Sequence, residues 1–265
     1  MGSSWTRILE PLPQVYLSVV IPAYNEEPRI GSTLERVIEY LGECSYTWEV
    51  VVADDGSTDA TAQLVGQVAA QHPQVHLLSL AHRGKGWAVK HGMLHATGRF
   101  RLLCDADLSV PIEQVERLLP PRCQGADVAV GSREAPGARR IGEPQRRHLM
   151  GRVYNSLVRL LAVPGLRDTQ CGFKCFRGEI AVDLFNQQTI DGFAFDVELL
   201  FLSRKLGLAV QELGIDWYYR EHSKVRPIRD SIVMTYDLIK MRLRHLGKGQ
   251  GRQRGSTPRQ GNPGA

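Results

Sequence analysis

The sequence predicts an α/β fold built on a mostly parallel, doubly wound sheet, and two observations indicate it. Short apolar, β-rich runs occur at residues 17–22, 48–53, 75–80 and 100–104. Between them lie segments in which apolar residues recur at helical spacing. Strands that alternate regularly with helices are typical of a parallel sheet covered by helices on both faces.

Three helices separate these strands. Apolar spacing predicts the first helix over residues 30–41 and the second over residues 61–71. A glycine-rich basic turn at residues 82–86 precedes the third helix, which extends to about residue 96. Each strand of the first half is therefore expected to lead through a helix into the next strand.

The second half of the chain continues with shorter elements. The predicted elements are a helix over residues 111–119, a strand over 126–131, a polar loop over 133–143, a helix over 144–162, a turn into a strand over 168–176, helices over 180–185 and 195–206, a strand over 209–218 and a last helix over 228–246. The predicted domains are a lead-in at residues 1–16, one α/β domain at 17–227, an amphipathic helix at 228–246 and a disordered basic tail at 247–265.

Composition and charge exclude several classes of protein. The longest apolar runs fall short of the roughly 20 residues that span a bilayer, and no secretory signal peptide is expected. The net charge is +5, and residues 133–167 hold eight arginines against two glutamates. Such a segment needs either an anionic partner or contact with water. The candidate partners are a phosphorylated substrate, an anionic membrane surface and nucleic acid. Nucleic acid ranks last because no recognition motif accompanies the charge.

Two carboxylates one residue apart follow the strand at residues 100–104. Residues i and i+2 of a strand point the same way, so Asp105 and Asp107 can share one ligand at its carboxyl end. Two hard oxygen ligands suit Mg²⁺ or Mn²⁺ that is held jointly with the phosphates of a substrate. Taken alone, the pair is more often a solvated turn.

Polar loops follow two further strands of the predicted sheet. In a doubly wound sheet the carboxyl ends share one edge, so these loops converge with the acid pair. Asp54 or Asp55 can accept hydrogen bonds from a nucleobase or a ribose, and Tyr24 can pack against a base. Lys85 can meet a phosphate. The alternatives are a helix-capping turn for the two acids and a solvated charge for the lysine.

Several motifs resemble those of the family 2 glycosyltransferases, which have the Rossmann-like GT-A fold. The matching segments are SVVIPAYNEE at residues 18–27, DDGSTD at 54–59, RGKG at 83–86 and DAD at 105–107. The segment DTQCGFKCF at 168–176, together with GSR at 131–133 and HSK at 222–224, resembles the polyprenyl-phosphate hexosyltransferase subgroup. The resemblance covers residues 17–246.

This resemblance implies an inverting transfer of a hexose, glucose from UDP-glucose, onto a polyprenyl (dolichyl-type) phosphate with Mg²⁺ or Mn²⁺. The implied nucleotide-sugar-binding residues are Pro22, Tyr24, Glu26, Asp54, Asp55, Lys85, Asp105 and Ala106. The implied metal ligands are Asp105 and Asp107, and the implied acceptor-phosphate residues are Arg133, Arg146, Arg147 and Lys224. The implied catalytic residues are Asp105, Asp107, Arg133 and Asp168.

Elementary chemistry agrees with the implied reaction. An acceptor phosphate is anionic at neutral pH, so no general base is needed to form a nucleophile. Asp168 is expected to orient sugar hydroxyls, to anchor an arginine or to form a turn. Asp196 is expected to reach the sugar or to cap its helix. A hydroxyl acceptor would instead need one of these two acids as a base.

The last predicted helix is apolar on one side and basic around it. We expect it to lie at a membrane surface, which makes the protein cytoplasmic and peripheral to the membrane. Packing on the sheet or on a partner subunit is the alternative, and the oligomeric state stays open. Other donors (GDP-mannose or UDP-GlcNAc) and a non-catalytic module that binds nucleotides or anionic lipids also stay open.

Overall fold

A seven-stranded sheet forms the centre of the protein. The computed structural model describes residues 15–144, 165–220 and 227–246, with the side chains of residues 233–244 in the last range. The strands are β1 (Leu17–Ala23), β2 (Trp48–Asp54), β3 (Val75–Ser79), β4 (Phe100–Cys104), β5 (Val128–Ser132), β6 (Arg139–Ile141), β7 (Phe173–Arg177), β8 (Val210–Gly214) and β9 (Asp216–Tyr218). The central sheet has the order β3–β2–β1–β4–β7–β5–β8, whereas β6 and β9 form a separate parallel pair.

Helices cover both faces of the sheet. They are α1 (Ile30–Gly42), α2 (Thr61–Gln71), α3 (Lys85–His95), α4 (Gly178–Gln187), α5 (Phe195–Lys205) and α6 (Pro227–Leu246), with a 3₁₀ helix at Ile112–Arg117. Strand β1 alternates between two apolar layers: Val19 belongs to the buried cluster that contains Leu34 of α1, and Val20 belongs to the cluster that contains Val89 of α3. The predicted mostly parallel sheet with helices on both faces is confirmed. Within the described ranges, no helix has the length and apolar character of a membrane span.

Strand β7 is the one reversed strand of the central sheet, and it brings distant segments together. It runs antiparallel to both β4 and β5, and Phe173 pairs with Cys104. The amino end of β7 therefore lies beside the carboxyl end of β4. Residues 168–172, which precede β7, consequently meet residues 105–107, which follow β4.

Three predictions of local structure were wrong. The helix predicted over residues 111–119 is a 3₁₀ helix of six residues, and prolines at 120 and 121 prevent its continuation. The strand predicted over 209–218 divides at Ile215 into β8 and β9, which belong to different sheets. The loop predicted over 133–143 contains β6, where Arg139 Nε donates to Asp216 Oδ1 of β9 at 2.8 Å. The helix predicted over 144–162 and the tail from residue 247 fall beyond the described ranges.

A buried carboxylate ties the start of the sheet to the turn before β4. Glu49 accepts hydrogen bonds from Ser18 Oγ at 2.5 Å, Thr97 N at 2.6 Å and Thr97 Oγ1 at 3.0 Å. Burial acts to raise the pKa of Glu49, but these hydrogen bonds outweigh it and lower the pKa below the ordinary value. The ionised form of Glu49 therefore stabilises the folded chain.

Glu49→Gln should reduce the free energy of unfolding by about 2 kcal/mol at pH 7, because charge-assisted hydrogen bonds are lost. Because the pKa of Glu49 is lower in the folded chain than in the unfolded chain, its ionised form stabilises the fold fully at pH values above the unfolded pKa of about 4.3. This stabilisation is lost as the pH falls through the pKa that Glu49 has in the folded chain. In urea titrations, the difference in the free energy of unfolding between wild type and Glu49→Gln should therefore be smaller at pH 3 than at pH 7. Glu39→Gln, at a carboxylate with 62% side-chain exposure, is the control. A difference independent of pH would contradict the expectation.

Candidate active site

Two cavities open at the carboxyl edge of the sheet and meet at four shared residues. The Tyr24 cavity has a volume of about 460 Å³, and the Arg133 cavity has a volume of about 280 Å³. The shared residues are Lys85, Asp105, Asp107 and Phe193. Two compartments that adjoin at one acid pair allow two reactants to meet there.

The Tyr24 cavity collects most of the residues predicted to bind a nucleotide-sugar. Those that line it are Pro22, Tyr24, Glu26, Asp55, Lys85, Asp105 and Ala106. The ring of Tyr24 stacks on His82, with centroids 4.1 Å apart and planes 17° apart. His82 was absent from the predicted site residues, because only the fold places its ring beside Tyr24.

The two adjacent acids after β2 have different positions. Asp54 is 3% exposed, accepts hydrogen bonds from the backbone N and the hydroxyl of Ser57, and does not line the Tyr24 cavity. Asp55 does line it and accepts hydrogen bonds from Arg83 N at 3.0 Å and Gly84 N at 2.9 Å. It also pairs with His82 Nδ1 at 2.8 Å. Asp54 thus fixes its own turn, and Asp55 orders the basic turn.

The acid pair lies where the two cavities adjoin. Lys85 Nζ lies 2.6 Å from Asp105 Oδ1, and Asp107 Oδ1 accepts a hydrogen bond from Ser109 N at 2.8 Å. The Ala106 carbonyl accepts from Thr33 Oγ1 at 2.6 Å, which ties this turn to α1. Burial works against the charge of Lys85, but the nearby carboxylates, chiefly that of Asp105, raise its pKa. The lysine is therefore a fixed cation beside the pair.

Gly172 sets the place of Asp105. A Cβ at this position would lie 2.5 Å from Asp105 Cγ, well inside van der Waals contact. The backbone before β7 thus packs directly on the carboxylate, and only a glycine leaves room for it. The segment at residues 168–176 resembles the hexosyltransferase subgroup, but the reason for its glycine at position 172 depends on the antiparallel pairing of β7 with β4.

Arg133 and Asp168 form a bidentate pair in the Arg133 cavity. Arg133 Nε donates to Asp168 Oδ2 at 2.7 Å, and Arg133 Nη2 donates to Oδ1 at 2.8 Å. Burial alone would raise the pKa of Asp168, but Arg133 holds it well below the usual range. Of the roles considered for Asp168, the structure shows that it anchors an arginine.

Asp196 pairs with a lysine inside the protein. Lys174 of β7 is fully buried and donates to Asp196 Oδ1 at 2.6 Å and to the Cys171 carbonyl at 2.6 Å. Burial raises the pKa of Asp196, although Lys174 and Lys85 act to lower it. Among the described residues no side chain forms a hydrogen bond that caps α5, so of the two alternatives for Asp196 the structure does not show the cap; its carboxylate lines the Arg133 cavity.

The Arg133 cavity also contains cations that were not among the predicted site residues. Arg140 pairs with Glu134 at 2.8 Å and with Glu143. Arg220 lines the cavity, and its side chain forms no ion pair with a described residue. Arg140 lies in β6, and Arg220 follows β9 by two residues. The sequence did not predict the pairing of these two strands. Arg146, Arg147 and Lys224 lie outside the described residues.

The balance of charge favours a bound cation. Among the described residues, four cationic and six anionic side chains line the Arg133 cavity, for a net charge of −2 when all are ionised. They are Lys85, Arg133, Arg140, Arg220, Asp105, Asp107, Glu134, Glu143, Asp168 and Asp196. No group of three or more His, Cys, Asp and Glu side chains in the described ranges surrounds a metal position. Asp105 and Asp107 therefore suit a divalent ion that takes its remaining oxygen ligands from phosphates and water.

The order of the strands and the opening of both cavities at the carboxyl edge of the sheet match the GT-A fold. The structure resembles that of glucosyl-3-phosphoglycerate synthase from Mycobacterium tuberculosis, solved with Mn²⁺, UDP-glucose and phosphoglyceric acid. The TM-score is 0.61 at 23% identity, over 89% of this chain and 81% of that one. A second structure of that enzyme, solved with UDP, has a TM-score of 0.61 over 89% and 82% of the two chains, at 23% identity.

The chain belongs to glycosyl transferase family 2, whose sequence profile matches residues 18–185. Three relatives carry the name dolichyl-phosphate β-glucosyltransferase. That of Drosophila melanogaster is 37% identical over 90% of this chain and 78% of its own length. Those of Dictyostelium discoideum and Homo sapiens are 35% and 34% identical, over 89% of this chain and 76% and 80% of their own lengths. The predicted family and its hexosyltransferase subgroup are thereby confirmed.

Gly172→Ala should displace the Asp105 carboxylate, because the added methyl group overlaps it. A shift of about 1 Å in a reacting group can lower turnover by about 10²-fold, so we expect a loss of that size in sugar-transfer assays. Gly66→Ala is the matched control, since a Cβ there meets no atom within 4 Å. Equal activity of the two variants would show that Asp105 tolerates the shift.

Proposed function

We propose that this protein transfers glucose from UDP-glucose to a polyprenyl phosphate of the dolichyl type, with inversion and with the aid of Mg²⁺ or Mn²⁺. One observation carries the proposal: two cavities meet at Asp105 and Asp107, one with an aromatic stack and the other with arginines. The relatives named above support the choice of donor sugar and acceptor. The neighbouring structures with UDP-glucose and Mn²⁺ support the choice of nucleotide and metal.

The Tyr24 cavity is the proposed site of the nucleotide. The stacked rings of Tyr24 and His82 offer a flat surface to a base, and Asp55 lies beside them. At the other end, Lys85 and the acid pair adjoin the position proposed for the diphosphate. A divalent ion held by Asp105 and Asp107 would supply Lewis-acid stabilisation of the departing nucleoside diphosphate.

The Arg133 cavity is the proposed site of the acceptor phosphate. Asp168 holds Arg133 in a fixed orientation, and Arg140 and Arg220 offer further guanidinium donors. A divalent ion at Asp105 and Asp107 would offset the net charge of −2 on the cavity lining, so that an anionic phosphate can enter. We include Arg146, Arg147 and Lys224 in this site on the basis of the sequence. An acceptor phosphate oxygen forms the new bond to C1 of glucose while the C1–O bond to UDP breaks, and UDP retains that electron pair. No proton moves, so the step needs no general base.

Helix α6 is the proposed contact with the membrane, on the cytoplasmic side. Val233, Tyr236, Ile239 and Leu243 are 50–66% exposed along one side of it. The opposite side is buried, and there Met234 lines the Arg133 cavity. Lys240, Arg242 and Arg244 add a charge that complements anionic lipid headgroups. A lipid-linked phosphate would thus reach the cavity from the surface to which this helix binds.

Asp105→Asn and Asp107→Asn should each lower transfer by at least about 10²-fold, since each removes charge from the site of the leaving diphosphate. Mass spectrometry of lipid-linked hexose, with UDP-glucose, GDP-mannose and UDP-GlcNAc as donors, measures the reaction. EDTA should abolish it, and Mg²⁺ or Mn²⁺ should restore it. Glu179→Gln, 71% exposed on α4, is the control.

Three results of this assay would contradict the proposal. If the protein transfers sugar only to a hydroxyl acceptor, the acceptor is not a phosphate. The reaction would then need a general base, for which Asp196 is the candidate. A preference for GDP-mannose or UDP-GlcNAc would show that the proposed sugar or the proposed nucleotide is wrong. A wild-type protein that binds nucleotide without turnover with any donor would be a binding module.

Tyr236→Ser with Ile239→Ser should weaken binding to vesicles of phosphatidylcholine and phosphatidylserine, because apolar surface that enters the interface is removed. We expect a loss of about tenfold or more in co-sedimentation, and binding that falls with salt. Val182→Ser, 37% exposed on α4, is the control. Unchanged vesicle binding would exclude this surface. A change from dimer to monomer in light scattering would instead assign it to a subunit contact.

A further inference from the structure

Phe193 lies at the border of the two cavities and differs in kind from the other three residues there. Lys85, Asp105 and Asp107 are charged, whereas Phe193 presents an aromatic ring. The ring is half-buried and packs against the apolar layer that includes α3 and α5. The border therefore combines a polar side, suited to a diphosphate, with a flat apolar side.

The loop at residues 188–194, which carries Phe193, is tightly fixed at its start. Glu198 is fully buried and accepts hydrogen bonds from Thr189 N at 2.9 Å, Thr189 Oγ1 at 2.7 Å and Ile190 N at 2.8 Å. Gln188 Nε2 donates to the carbonyls of Ile190 at 2.8 Å and Gly86 at 2.9 Å. These bonds hold the loop against the first turn of α3.

The same loop packs closely on the glycine-rich turn that carries Lys85. Trp87 N donates to the Asp191 carbonyl at 3.1 Å. A Cβ at Gly84 would lie 2.7 Å from the Asp191 oxygen, and one at Gly86 would lie 2.6 Å from the Ile190 oxygen. Phe193 therefore has a defined position relative to Lys85 and the acid pair.

We propose that Phe193 is a specificity-determining residue whose ring supports the apolar face of the donor sugar; this rests on the proposed function. The anomeric carbon exchanges a bond to the diphosphate for a bond to the acceptor, so the sugar must lie where the cavities adjoin. The C–H bonds on one face of a hexose pack against the electron-rich face of an aromatic ring. Of the four described residues that line both cavities, Phe193 is the one with an apolar side chain.

The nucleobase and the lipid fit this position less well. The stacked rings of Tyr24 and His82 already provide a surface for a base within the Tyr24 cavity. The exposed apolar side of α6 provides a surface for a lipid, outside either cavity. If Phe193 contacts the sugar, it should affect binding of UDP-glucose but not binding of UDP. Contact with the nucleobase or with the lipid does not predict this difference.

The experiment compares the affinities for UDP and UDP-glucose by calorimetry in the presence of Mg²⁺. Phe193→Ala should weaken UDP-glucose binding about tenfold, which equals about 1.4 kcal/mol, and change UDP binding less than twofold, since the ring would contact the sugar and not the nucleotide. Phe193→Tyr should keep the wild-type affinities, and Phe193→Leu should give an intermediate loss. Phe201→Ala is the matched control, because Phe201 packs on the same apolar layer but lines neither cavity.

Each alternative has a distinct result. Equal weakening of UDP and UDP-glucose, or no weakening of either, would overturn the inference while leaving the proposed donor intact. A change confined to the KM of the lipid acceptor would assign the ring to the lipid. A wild-type protein that binds no UDP-sugar would overturn both this inference and the proposed donor. Thermal melting of every variant verifies that the fold is retained.

Discussion

The antiparallel pairing of β4 with β7 is the constraint on which the site depends. It places the backbone of Gly172 against the carboxylate of Asp105, and it brings residues 168–172 to the carboxyl edge of a strand that ended more than 60 residues earlier. A parallel strand in the same position would carry its preceding segment to the opposite edge of the sheet. The reversal of one strand thus joins two halves of the site that lie far apart in sequence.

Three ion pairs include residues that follow β4, precede β7 or lie in β7. Lys85 pairs with Asp105, Arg133 with Asp168 and Lys174 with Asp196, all at 2.6–2.7 Å. Asp168, Lys174 and Asp196 are buried, and a buried charge without a partner is costly, so their two pairs keep these side chains in one orientation. Lys85 and Asp105 are partly exposed, with 24% and 33% of their side chains accessible. The result is a site in which charges are fixed before substrate arrives, as electrostatic stabilisation of a leaving group requires.

The sequence was sufficient to predict most of the sheet, because strand–helix alternation and polar loops at strand ends are local patterns. It could not decide between Asp54 and Asp55. That choice depends on where β2 ends, and β2 includes Asp54, which pairs with Ser79 of β3. Nor could it place Phe193, because contacts between the loop at 188–194 and the turn at 84–86 span about 100 residues. Such contacts depend on how distant segments pack in the folded chain, so the spacing of residues within one segment does not predict them.

The two cavities draw on different parts of the chain. Among the described residues, thirteen of the fifteen that line the Tyr24 cavity come from positions 22–107, and Gly192 and Phe193 come from later in the chain. Of the described residues in that first part, Lys85, Asp105 and Asp107 also line the Arg133 cavity. Under the proposed assignment of one substrate to each cavity, the second half of the chain can diverge to accept other molecules while the first half keeps the same activated sugar. Chimeras joined just after residue 107 would separate the two specificities, provided that the short loop at 192–193 travels with the first half.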